Sequence, residues 1–185
     1  MVSTSYPKKQ LVALVGVSEA KIIEALPDIK AGVEQVTDDA VTVEFTGDRP
    51  DLISVYGAAR ALRGYLEKDV GLVKNEWPAS GVKIFVDPEA ERIRPVLVSA
   101  VIRNVELDGA RIQHLFQVQE KLDLTLGRRR KKCSIGLYDL DALKGPFYMN
   151  NIGMDAKFHP LKADCEMSVR QILKDHPTGK EYAHL

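Results

Sequence analysis

Cysteine is nearly missing from this chain. Cys133 and Cys165 are the only two, neither belongs to a C-x-x-C pair, and neither lies at zinc-ligand spacing from a histidine. Reduced thiols and no metal site are the expectation. Excess charge is missing too. The 26 Lys+Arg residues balance 26 Asp+Glu, so affinity for nucleic acid or an anionic surface has to come from local clustering. There is no long hydrophobic run: the longest apolar segment, Pro95 to Ile102, is interrupted by Ser99 and is too short to span a bilayer as a helix. Met1 to Lys9 has no apolar stretch behind its lysines that reads as a signal peptide, which leads to the expectation of a cytoplasmic protein without membrane partners. Catalytic signatures are absent as well. No G-x-S-x-G, glycine-rich phosphate loop or H-E-x-x-H occurs, so no catalytic residue and no metal ligand is assigned.

What is present is an ordinary globular composition, 45% hydrophobic and 28% charged over 185 residues, enough for one large domain or two small ones. Helical stretches are expected at Lys8 to Val15 and at Ser18 to Leu26, the second capped by Ser18 and stopped by Pro27. In Ala40 to Phe45, Val41, Val43 and Phe45 alternate with Thr42 and Glu44, the period of a half-buried strand. Asp48 or Asp51 is expected to cap a long helix that follows Pro50, on which Leu52, Val55, Tyr56, Ala59, Leu62 and Leu66 form an apolar stripe.

The pattern breaks at N-E-W-P-A-S-G, between Lys74 and Gly81, which predicts a boundary between residues 1–75 and 76–185. Strand periodicity returns at Val82 to Val86 and again in Pro95 to Val105. Asp108 and Gly109 open a helix with apolar positions Ile112, Leu115, Phe116, Leu122 and Leu126 and with Gly127 as its left-handed C-terminal cap. Cys133 to Leu140 reads as a strand, and Ser168 to Asp175 as a helix capped by Ser168. The fold class is α+β: a small N-terminal α/β module, then the first part of a mixed-sheet domain. The ending Glu181 to Leu185 lacks a polar fade-out, and the second part offers too few elements to cover a sheet on both faces, so a cut inside the second domain is expected.

The sharpest local feature is Arg128-Arg129-Arg130-Lys131-Lys132, directly after the Gly127 helix end. Two readings stand side by side. Cations at a helix C-terminus complement its dipole and form a solvated face; guanidinium groups also grip RNA phosphates or a carboxylate. Arg128, Arg129 and Lys131 are the candidate phosphate contacts. His114, without a His or Cys partner, reads as structural or exposed rather than as a metal ligand, and Asp139 to Asp141 as a turn or helix cap.

Three strings carry a family resemblance: Asp48-Arg49-Pro50-Asp51-Leu52-Ile53-Ser54-Val55-Tyr56-Gly57-Ala58-Ala59-Arg60-Ala61-Leu62-Arg63-Gly64-Tyr65-Leu66; the run from Gln119-Glu120-Lys121-Leu122 through Gly127 to Lys132 and on to Ile135-Gly136 and Asp139-Leu140-Asp141; and His176-Pro177-Thr178-Gly179-Lys180-Glu181-Tyr182-Ala183-His184. In this order they resemble the N-terminal part of phenylalanyl-tRNA synthetase β subunits of the archaeal/eukaryotic type. Asp48 and Tyr56 depart from that pattern, which has Asn and Glu there. The resemblance implies a subunit of an α2β2 ligase that joins phenylalanine to its tRNA with ATP and magnesium, neither of them bound by this part of the chain. The partners implied are the α subunit, a second αβ pair and phenylalanine tRNA. It further implies that residues 76–185 begin an editing, tRNA-binding domain that hydrolyses tyrosine misjoined to that tRNA, a task that follows from the weakness with which an apolar pocket rejects an added hydroxyl. Gln119, Glu120 and Arg130 resemble the rim of that editing pocket. The alternative is a free-standing RNA-binding or interaction module without catalysis.

Overall fold

A computed structural model describes residues 2–185, which form an α+β fold. Two compact units emerge. One comprises Met1–Glu76 with Glu106–Gly136, the other Trp77–Val105 with Leu137–Leu185.

The first unit is built on a three-stranded antiparallel sheet, β1 (Val2–Pro7), β2 (Ala31–Val36) and β3 (Ala40–Phe45), in the order β1-β3-β2. The central strand β3 alternates as its sequence predicts, with Val41, Val43 and Phe45 buried. β1 was not among the expected elements. Its inward residues are Thr4 and Tyr6, whose polar groups reach carbonyls: the Thr4 hydroxyl donates to Ile53 at 3.4 Å, and the Tyr6 hydroxyl to Leu52. Burial pushes the Tyr6 phenol well above its ordinary range, and Asp51 adds to the effect.

Helices α1 (Lys8–Val15) and α2 (Glu19–Ala25) fall where the sequence placed them, with Ser18 capping α2. Helix α3 (Val55–Tyr65) joins them, and Leu11, Val15, Ile22, Leu26 and Leu62 meet Val41 and Val43 in one core. The cap of α3 differs from expectation. Pro50–Ile53 form a 3-10 turn that delays the helix start to Val55, so Asp48 and Asp51 lie too early to reach the free N–H groups. Ser54 takes their place, its Oγ accepting from the amides of Tyr56 at 3.1 Å and Gly57 at 3.4 Å. Asp48 instead pairs with Lys30 at 2.7 Å, a bond that with the Thr46 hydroxyl pulls its carboxyl down to about 2, while Asp51 accepts from Arg49 Nε at 2.9 Å and Nη2 at 2.7 Å. Leu52 is buried, but from the turn rather than from the helix.

In the second unit, β4 (Ile84–Val86) pairs in parallel with β5 (Phe147–Met149), and α4 (Pro88–Ile93) follows β4 with Asp87 as its N-cap. A second antiparallel pair, β6 (Lys157–Phe158) and β7 (Met167–Ser168), leads into α6 (Val169–Asp175) and α7 (Pro177–Tyr182). Ser168 caps α6 through a complete capping box with Gln171. The strands expected at Pro95 to Val105 and Cys133 to Leu140 are not formed. A strand exists only where a neighbour supplies its ladder, and among the described residues neither segment is paired with another strand; Val96 and Val98 are 77% and 85% exposed.

The long helix after Asp108 is present as α5 (Gly109–Leu124), capped by the Asp108 carboxylate on the Arg111 amide at 2.8 Å. It belongs to the first unit. Val118 and Leu122 pack against the core, and the Lys121 ammonium donates to the Ser3 carbonyl on edge strand β1 at 2.7 Å. Of the positions expected on its apolar face, Leu122 alone packs against the core; Ile112, Leu115, Phe116 and Leu126 are exposed.

Candidate functional site: a cationic loop clamped to helix α5

Helix α5 ends earlier than its sequence predicts. Thr125 is the C-cap, its hydroxyl turned back onto the Lys121 carbonyl at 2.7 Å, and Gly127 lies beyond the helix. Gly127 does not serve as a left-handed cap, since positive φ falls on Arg128, Arg129 and Arg130, at 49°, 56° and 64°. Glycine is required for another reason. A Cβ there would stand 2.6 Å from the Asp123 carbonyl oxygen and 2.7 Å from that of Cys133, because Gly127 is wedged between the last turn of the helix and the returning chain.

Three successive left-handed residues with side chains are unfavourable in isolation, so the loop depends on what ties it down. Asp123, 3% exposed, supplies most of the ties. Its Oδ2 accepts from Arg130 Nε at 3.1 Å, its Oδ1 from the Ile135 amide at 3.1 Å, and its backbone carbonyl from the Arg130 amide at 3.2 Å. One turn earlier on the same face, Gln119 Nε2 donates to the Ile135 carbonyl at 2.6 Å. Both polar groups of the Ile135 residue are therefore held by side chains of α5. The outcome is a short, fixed loop from which Arg128, Arg129 and Lys131 face solvent.

The expected site residues separate into two groups. Gln119 and Arg130 come together, joined through Asp123 and Ile135, and both are engaged inside the loop. Glu120 is exposed, and Arg130 forms an ion pair with Asp123. Arg128, Arg129 and Lys131 lie on the outside of the same loop, where they can meet an anion. No group of three or more His, Cys, Asp or Glu among the described residues is arranged to hold a metal ion. No helix among them is long and apolar enough to cross a membrane.

No family model matches the chain. Individual relatives do. It is 44% identical over 175 residues to the phenylalanine–tRNA ligase β subunit of Methanocorpusculum labreanum, covering 95% of this chain and 32% of that protein. It is 40% identical to the β subunit of Archaeoglobus fulgidus, again over 95% of this chain and 32% of the relative. The solved N-terminal fragment of the phenylalanyl-tRNA synthetase β subunit from Pyrococcus horikoshii superposes with a TM-score of 0.91 at 32% identity, over 99% of this chain and 55% of that one. The chain is a relative of the archaeal phenylalanine–tRNA ligase β subunit. It spans about a third of the length of the curated β subunits it matches, and it corresponds to their N-terminal region.

Sequence reasoning missed Asp123 and the pairing of Ser54 with His114. The imidazole Nε2 of His114 lies 3.1 Å from Ser54 Oγ, and its ring meets Tyr56 edge-on at 4.9 Å. Burial lowers the His114 pKa. The structural reading of His114 made from sequence holds, with a partner the sequence does not disclose. For Asp123 the one available signal is its i+4 spacing from Gln119, which places both on the face toward the returning chain.

Proposed function

We propose that this chain acts as the N-terminal region of a phenylalanine–tRNA ligase β subunit, supporting Phe-tRNA synthesis through scaffold, tRNA contacts and editing of mischarged Tyr-tRNA. The observation that carries the reading is agreement with named β subunits along 95% of the chain, at 44% identity in one of them. In this reading the α subunit, a second αβ pair and phenylalanine tRNA are the partners, and the assembly works in the cytoplasm. ATP and magnesium serve the whole enzyme. The chain has no glycine-rich phosphate loop of its own, so no step is assigned to them here. In this reading residues 1–75 serve as the N-terminal module and 76–185 as the opening part of the editing domain; the compact units divide the chain differently, with 106–136 clustering with the first.

In this reading Gln119, Glu120 and Arg130 stand at the rim of the editing pocket. Gln119 and Arg130 brace the loop, and the exposed Glu120 carboxylate is the member able to meet a substrate amine or a water. Arg128, Arg129 and Lys131 contact tRNA phosphates.

The test is a chimera in which this chain replaces the matching region of the Methanocorpusculum labreanum β subunit, co-expressed with the α subunit. Phe-tRNA synthesis and Tyr-tRNA hydrolysis are both expected to persist; an assembled chimera lacking both activities would refute the reading. In the same complex, Arg130→Ala is expected to slow Tyr-tRNA hydrolysis about tenfold or more while Phe-tRNA synthesis continues. Unchanged hydrolysis would remove Arg130 from the editing site. The second reading, an RNA-binding module without catalysis, is favoured by one feature, the solvent-facing cations of the loop.

A further inference from the structure

The cationic loop carries a paradox of charge. A surface meant to attract phosphate gains nothing from a nearby carboxylate, yet Asp123 lies buried directly beneath the basic run and accepts from Arg130, one of its five cations. Burying an ionised carboxylate costs free energy unless its oxygens are satisfied. Here they are satisfied by the loop itself, through Arg130 Nε at 3.1 Å and the Ile135 amide at 3.1 Å. The ties span the strained part of the backbone. Arg128, Arg129 and Arg130 are all left-handed, a conformation that residues with a Cβ leave when released. The Arg130 amide is bonded to the Asp123 carbonyl and the Lys132 amide to the Gly127 carbonyl at 2.9 Å, closing the loop on the helix end.

We propose that Asp123 is the positioning residue of this loop: by holding Arg130 and Ile135 it presents Arg128, Arg129 and Lys131 in one fixed arrangement to the phosphates of an RNA backbone. The inference rests on the tRNA-contact reading above and adds a division of labour within the basic run. Arg130 is turned inward as a strut, and its neighbours are turned outward as contacts. Preorganised cations bind phosphate more tightly than the same cations on a mobile loop, because the ordering cost is already met in the free protein. The sign of the effect separates this from simple electrostatics. Removing the Asp123 charge makes the surface more positive and releases Arg130, which by charge alone strengthens RNA binding; loss of positioning weakens it.

The experiment measures binding of a fluorescently labelled phenylalanine tRNA transcript to this chain by anisotropy across a series of salt concentrations. The triple variant Arg128→Gln/Arg129→Gln/Lys131→Gln tests the underlying reading: weaker binding with a shallower salt slope is expected, and unchanged binding overturns the RNA contact itself. Asp123→Asn tests the positioning role, since it retains an acceptor for the Ile135 amide while dropping the charge that holds Arg130. It is expected to weaken binding by about tenfold at a salt slope close to that of the parent chain. Equal or tighter binding overturns the proposal and leaves the RNA reading standing. If circular dichroism shows that Asp123→Asn does not fold, Arg130→Gln cuts the same tie from the loop side. As a strut, Arg130 leaves the slope unchanged when removed; a slope shallower by about 0.9 identifies it as a direct phosphate contact and overturns the division of labour.

Discussion

At the scale of single residues, the first unit depends on a few positions where backbone passes close to backbone. Gly57, in the first turn of α3, is the sharpest case: a Cβ there would sit 1.9 Å from the Asp51 carbonyl oxygen. Gly57→Ala is expected to destabilise the first unit by about 1–3 kcal/mol, as overpacking does. Gly47→Ala is the control, since a Cβ there meets nothing within 4 Å, and its effect is expected to stay within about 0.5 kcal/mol. Urea midpoints of the two variants check this, and equal midpoints would mean the Asp51 turn yields freely. Ser54 shows what sequence leaves ambiguous. Three cap-competent residues, Asp48, Asp51 and Ser54, precede α3, and which of them caps it depends on the intervening 3-10 turn. Since the Ser54 oxygen accepts from two amides, its proton is directed at His114 Nε2, which fixes the neutral imidazole as the bonded form. The pKa of His114 is lower folded than unfolded, so below the unfolded value of about 6.5 the unfolded chain binds more protons and stability falls as pH falls. His114→Gln, which keeps a hydrogen-bonding group but does not titrate, is expected to flatten that slope as pH falls below about 6.5. Urea unfolding at several pH values measures it; an identical slope in the variant would place the pH dependence elsewhere.

Elements differ in how much of them is written locally. α1, α2, β3 and α6 are legible because each carries its own period and its own stop or cap: Pro27 after α2, the strict alternation of β3, the Ser168 and Gln171 box of α6. β1 is not legible, because its inward positions include Thr4, a polar residue buried only through its bond to Ile53. The opposite error arises at residues 95–105, where Val and Ile content predicts a strand but pairing is decided by neighbours. This difference is measurable by amide exchange. The amides of Val41, Val43 and Phe45, in the central strand of a three-stranded sheet, are expected to be protected toward the global stability of the first unit. Those of Val96, Val98 and Ile102, with no ladder partner among the described residues, are expected to exchange at nearly the rate of an unstructured peptide. Protection at 96–102 matching that of β3 would show that this segment is paired in solution. The Asp123 clamp lies between these extremes. Its helix is legible and its basic run conspicuous, but the fold-back that buries the carboxylate depends on Gly127 and on three left-handed residues that sequence periodicity does not encode.

For the whole molecule, the instructive feature is that the first unit is discontinuous. Residues 106–136 return to Met1–Glu76 after an excursion through the second unit, and nothing in local sequence announces the return, since the Lys121 to Ser3 bond joins positions 118 residues apart. The core itself is continuous. Every member of the buried cluster, from Tyr6 to Leu62, lies within the first 76 residues, and α5 adds only the partly buried Val118 and Leu122 along one side. That division predicts a hierarchy of stability. Residues 1–76 made alone are expected to fold cooperatively, because the sheet, its three covering helices and the Ser54 cap are all present. Joining 106–136 to them through a flexible linker is expected to add about 2 kcal/mol, the scale of partly burying two aliphatic side chains. The increment should depend on Lys121 little and on Leu122 strongly, since the ammonium tie to Ser3 is near the surface whereas Leu122 touches the core. Circular dichroism during urea titration is the measurement, because the only tryptophan, Trp77, is 82% exposed and lies outside this unit. An unfolded 1–76 peptide would show that α5 is a founding part of the core rather than an addition to it, and the clamp at Asp123 would then bear on folding as well as on the loop.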